Sequence, residues 1–101
     1  MESYRYPFKD VNHDVKLVVW KKGQIIPNYD PSIWRRDMCG FAMRYSDHGN
    51  TQSEFGWEID HVRPRALGGQ TSFVNLQPLY WKNNRTKGDT YPWSCALLTN
   101  A

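Results

Sequence analysis

Between Trp57 and Asp89 the chain is interrupted so often that only short elements fit, because Pro64, Gly68-Gly69, Pro78 and Gly88 all fall within that segment. A proline supplies no N–H to a sheet ladder, and a double glycine marks a turn. FGWEIDHV therefore reads as a strand that stops near Pro64. VNLQPLYW, with Pro78 inside it, is limited to an edge or irregular strand. WKNNRTKGD reads as one or two helical turns ended at Gly88.

Upstream, Val11, Val15, Val18 and Val19 recur at roughly helical spacing within VNHDVKLVVWKKGQ. Asp30 offers an N-cap and Pro31 a first helical position, which predicts a short helix from Pro31 to Asp37. CGFAMRY and FGWEIDHV flank the polar turn SDHGNTQSE and read as an antiparallel hairpin. With 101 residues and no repeat or long linker, the chain is predicted to form a single domain over 1–101. A hydrophobic share of 40% argues against disorder, and the large rings of five Trp and six Tyr can fill a small core. The apolar residues of the tail TYPWSCALLTN are expected to dock on the body.

MESYRYPFKD lacks the apolar run of a signal peptide, and no segment approaches membrane-spanning length. That favours a soluble, cytoplasmic protein without a membrane partner. Cys39 and Cys95 are too few for a disulfide framework, so they read as free thiols. A net charge of +3 suits a polyanion without requiring one. Its distribution says more, since Arg63, Arg65, Lys82, Arg85 and Lys87 cluster in one third of the chain.

Within EIDHVRPRALGG, Asp60-His61 means little alone. What matters is the order: Asp60-His61, Pro64, Gly68-Gly69, then Asn75 opening NLQPL, then Asn83-Asn84 and Lys87. This pattern, with its core from 57 to 89, resembles the HNH endonuclease family, and WRRDMCG with GNTQSEFGWE extends a weaker likeness upstream. The resemblance implies an α+β fold: a small ββα-metal nuclease domain, here with an N-terminal helical extension and a short antiparallel hairpin. It places Asp60 as the strand-borne metal ligand and His61 as the general base. Asn75 matches the middle position, whose side chain ties the loop together and helps to hold the histidine. Asn84 matches the last position, often His in the family but Asn in a branch that includes RNA-guided nucleases. Asn83 is the nearest rival, and the family spacing favours Asn84.

The residue types suit that chemistry. Phosphodiester hydrolysis needs an activated water and compensation of charge at phosphorus. Imidazole is largely neutral near pH 7 and can accept a proton. Asp60 and Asn84 offer hard oxygen atoms, which fit one divalent cation, Mg²⁺ or Mn²⁺, better than soft metals. In a regular strand Asp60 and His61 would point to opposite faces, so both can reach one phosphate only at a strand end or bulge. Arg63, Arg65, Arg85 and Lys87 are candidates for phosphate contacts to a nucleic acid, DNA in the first instance. Glu58 shares strand parity with Asp60 and is a candidate support for the metal. His13 and His48 are expected at the surface.

Many relatives carry two Cys-x-x-Cys pairs around a structural zinc. Here positions 39, 42, 80 and 83 hold Cys39, Ala42, Tyr80 and Asn83, so no structural zinc of that kind is expected. Packing among Trp34, Phe55, Trp57, Tyr80 and Trp81 is the expected substitute. The leading function is a metal-dependent DNA endonuclease; the alternative is a non-catalytic nucleic-acid-binding module on the same fold. A protein partner or a homodimer is compatible with either.

Overall fold

The computed structural model describes residues 4–95. Asn12 starts the first helix, its side-chain oxygen accepting from the N–H groups of Asp14 at 2.7 Å and Val15 at 3.4 Å. This helix, α1 (His13–Trp20), lies within the segment whose apolar spacing predicted one and buries Val19 and Trp20. A three-stranded antiparallel sheet follows, built from β1 (Gln24–Ile25), β2 (Trp34–Arg36) and β3 (Ala42–Arg44) in that order. A two-stranded antiparallel sheet joins β4 (Trp57–His61) to β5 (Leu76–Tyr80), and α2 (Trp81–Lys87) leads straight out of β5. The β4–β5–α2 unit is the ββα arrangement of a small α+β domain.

Two sequence expectations are corrected here. The segment from Pro31 to Asp37 is not a helix. Asp30 does nucleate a turn, accepting from Ser32 N–H and Oγ, but the chain then extends as β2. Partners on both sides of β2 outweigh the local helix signal. CGFAMRY and FGWEIDHV likewise do not pair as a hairpin: β3 pairs with β2, and β4 pairs with β5. Alternation of apolar residues shows that a segment is extended but not which strand it joins.

Trp20 and Trp57 meet at the centre, 5.0 Å between rings, among Val19, Met43, Ile59 and Leu76. Each indole N–H finds a backbone acceptor, Pro31 for Trp20 and Tyr45 for Trp57, so two of the largest side chains are buried without an orphaned donor. The outer edge of β5 is blocked against further pairing. Lys22 Nζ donates to the Leu76 carbonyl, Pro78 has no N–H, and Tyr80 N–H donates to Asp37.

Asp37 is the second organising point. It is 1% exposed, and its carboxylate accepts from Cys39 N–H, Phe41 N–H, Tyr80 N–H and Asn83 Nδ2. The β2–β3 turn is thereby tied to the start of α2, and Phe41 stacks on Tyr80 with ring centroids 5.2 Å apart. Trp34 and Phe55 form an edge-to-face pair as part of the aromatic packing, but the carboxylate hub was not foreseen.

The free-thiol reading is also corrected. Cys39 and Cys95 form a disulfide, with Cα atoms 5.5 Å apart across a sequence separation of 56. Their proximity is a product of the fold, invisible in spacing. Residues 96–98, whose apolar side chains were expected to dock, lie outside the described residues. Reducing this bond, or replacing both cysteines with serine, is expected to cost about 2–4 kcal/mol by releasing a long loop in the unfolded chain. Urea unfolding with and without reductant measures it; identical midpoints would show that the bond does not constrain the chain. Among the described residues no helix is long and apolar enough to cross a membrane.

Candidate active site

Strand β4 ends at His61, and this lets Asp60 and His61 share one cavity despite their opposite strand parity. Asp60 stands directly opposite Gln77 on β5, and Gln77 Nε2 donates to its Oδ2 at 2.9 Å. Lys87 Nζ approaches Oδ1 at 3.3 Å and donates to the His61 carbonyl at 2.9 Å. Burial pushes the Asp60 carboxyl above its usual range, and the Gln77 bond and the Lys87 charge pull it back.

The His61 ring lies 5.3 Å from the Phe8 ring, centroid to centroid, and its Nε2 is 2.8 Å from Thr71 Oγ1. Burial moves its pKa below the ordinary histidine value; Arg65 and Lys87 add to that, and Asp60 opposes them. The imidazole is therefore mainly neutral at pH 7 and retains a proton-accepting nitrogen.

The loop after β4 is closed by Asn75. Its Oδ1 accepts from Arg63 N–H at 2.9 Å, and its Nδ2 donates to the carbonyls of Arg63 at 3.0 Å and Gln70 at 2.8 Å. The double glycine is needed for this closure. Gly68 has φ +91°, and a Cβ on Gly69 would lie 1.7 Å from the Arg63 carbonyl oxygen. Asn75 thus binds the loop beside the histidine rather than the ring itself.

Asn84 enters from α2 and lines the same cavity. Its Nδ2 donates to Glu58 Oε1 at 2.7 Å, so its amide oxygen is the atom it can offer a cation. Glu58 is 1% exposed and also holds the Arg85 guanidinium through both carboxylate oxygens. Asn83 points elsewhere, to Asp37 at 3.0 Å. The two adjacent asparagines are thus separated by the helix: one faces the cavity and the other the Asp37 hub.

Of the four cations singled out by sequence, three are engaged internally. Arg63 Nε donates to the Leu67 carbonyl, and the guanidinium lies over Tyr91. Arg85 is paired with Glu58 beneath the Tyr4 ring, 4.0 Å from its centroid. Lys87 is 2% exposed, with its ammonium turned inward to Asp60. Arg65 alone of the four lines the cavity.

Sequence reasoning missed the N-terminal arm. Tyr4, Arg5 and Pro7 form one wall of the cavity, and Phe8 meets His61. Tyr6 holds the arm in place: its hydroxyl accepts from Ile59 N–H on β4 and hydrogen-bonds His48 Nε2 at 2.8 Å. His48, expected at the surface, is therefore part-buried, and burial lowers its pKa to about 4. YRYPF carries no periodicity or motif that announces a contact with residues more than fifty positions away. His13 stays outside the cavity and meets the Tyr45 hydroxyl at 3.1 Å.

The cavity holds about 270 Å³. Among the described residues no three His, Cys, Asp or Glu side chains converge as a metal-binding group. The candidate donors are the Asp60 carboxylate and the Asn84 amide oxygen. Two hard oxygen ligands completed by water and phosphate suit Mg²⁺, so this donor set fits such an ion. The HNH endonuclease family model matches residues 38–90. No curated protein and no solved structure matches the chain.

Proposed function

Because this chain belongs to the HNH endonuclease family, we propose that it hydrolyses phosphodiester bonds in DNA, with His61 as the general base. The observation that supports this most is the convergence of Asp60, His61 and Asn84 on one cavity, from the end of a strand and a helix. In this reading His61 takes a proton from a water whose oxygen bonds to phosphorus as the bond to the 3′ oxygen breaks. The departing oxygen gains a proton from solvent, leaving 5′-phosphate and 3′-hydroxyl ends. A divalent cation, Mg²⁺ or Mn²⁺, held by Asp60 and Asn84 would supply charge compensation at the phosphate and the leaving oxygen. Gln77 and Lys87 orient the Asp60 carboxylate, Glu58 orients the Asn84 amide, and Asn75 braces the loop after His61.

The alternative, a nucleic-acid-binding module without turnover, draws on one observation: Lys87 already provides Asp60 with a buried positive partner. The working compartment belongs to the same proposal. A cytoplasmic placement requires the Cys39–Cys95 bond to form there, whereas such bonds persist mainly in oxidising surroundings.

Incubation with supercoiled plasmid in Mg²⁺, in Mn²⁺ and in EDTA separates the two functions. Conversion to open circles in metal and none in EDTA is expected. Binding of intact plasmid with no cleavage in either metal would shift the assignment to the binding module.

A further inference from the structure

We propose that Arg5 and Arg65 form a two-guanidinium clamp for the nucleic-acid backbone at the mouth of the cavity, an inference that rests on the nuclease reading above. Both residues line the cavity that Asp60, His61 and Asn84 share. Arg63, Arg85 and Lys87 already serve internal acceptors. By contrast, among the described residues the side chains of Arg5 and Arg65 make no hydrogen bond or ion pair.

Both arginines stand on anchored backbone. Arg5 precedes Tyr6, whose hydroxyl is bonded to Ile59 N–H on β4, and Pro7 stiffens the chain on the other side of Tyr6. Arg65 opens a single 3-10 turn, Arg65–Leu67, in the loop that Asn75 closes, and Gly69 N–H donates to the Pro64 carbonyl at 2.9 Å. An unpaired guanidinium on a fixed backbone is suited to bidentate contact with phosphate oxygens.

The local charge balance calls for two cations. Asp89 lines the same cavity, and Asp60 lies within it with Lys87 beside it. With Lys87 offsetting Asp60, one arginine would only cancel Asp89. The second makes the mouth net positive toward a polyanion. Contacts of this kind set register along the strand and do not read bases.

The test measures binding of a short DNA duplex to the full chain in EDTA, by fluorescence anisotropy over a range of salt concentrations. Arg5→Gln and Arg65→Gln are each expected to reduce the slope of log affinity against log salt by about 0.9, and the double variant by about twice that. Arg5→Lys should keep the wild-type slope, since it keeps the charge. Lys21→Ala, which removes an exposed cation at the end of α1, should leave the slope unchanged. An unchanged slope in Arg5→Gln, or an equal loss in Lys21→Ala, would overturn the clamp. Cleavage of plasmid with an unchanged Arg5→Gln slope would remove the clamp and leave the nuclease reading intact. Wild-type protein that neither binds nor cleaves would remove both.

Discussion

A His61→Ala variant is expected to cleave plasmid about 10²–10⁴-fold more slowly than the wild type and to bind the same DNA with similar affinity. The expectation follows from what the ring touches. It ends β4, rests against Phe8, which packs on the edge of the core, and meets the Thr71 hydroxyl, while His61 itself is not one of the buried core residues. Truncation therefore removes a proton acceptor without opening a cavity in the core. The Lys87 bond is made to the His61 carbonyl, which alanine keeps, so the Asp60–Lys87 arrangement persists. Single-turnover cleavage in Mg²⁺ and binding in EDTA report the two quantities separately. Equal cleavage by wild type and variant would refute His61 as the base. Loss of binding together with cleavage would point to a structural role instead.

Asp37→Ala is expected to cost about 4 kcal/mol, because burying donors without acceptors costs about 1–3 kcal/mol each before the site relaxes. The carboxylate is 1% exposed and accepts from four groups: three backbone N–H groups and the Asn83 amide. For a small domain whose total stability is about 5–15 kcal/mol, such a loss removes much of the folded population. It also acts on the site. Asp37 fixes the start of α2, and α2 carries Asn84, Arg85 and Lys87. Asp37→Asn should lose less, because one oxygen can still serve Cys39 and Phe41 while its amide opposes the Tyr80 and Asn83 donors. Urea denaturation gives the numbers. A Asp37→Ala midpoint close to wild type would mean that the hub does not hold the two loops together.

The hub and the disulfide lie near the positions where relatives place zinc-binding thiols, yet neither could be read from the motif. Asp37 precedes that spacing, and its partners at Tyr80 and Asn83 come from the far side of the chain. The Pro31–Asp37 segment fails for a related reason. Its Asp-Pro start is a true local signal and yields one turn, after which pairing with β1 and β3 prevails.

Local covalent chemistry was enough to place the short elements from Trp57 to Gly88. Proline lacks a ladder donor, Gly68 takes a positive φ, and Gly69 leaves no room for a Cβ. The sequence by itself therefore determined where β4 stops, that the loop turns back, and where α2 ends; Asp60, His61, Asn75 and Asn84 stood out as a set only through the resemblance to the HNH family. Tertiary structure alone decided that β4 pairs with β5, that Asn84 faces the cavity while Asn83 faces Asp37, and that Lys87 is internal. It also brought Tyr4, Arg5 and Phe8 to the site and left the side chains of Arg5 and Arg65 without a hydrogen bond or ion pair among the described residues. These outcomes depend on burial and hydrogen bonding between segments far apart along the chain, and such energies exist only once the chain has closed on itself.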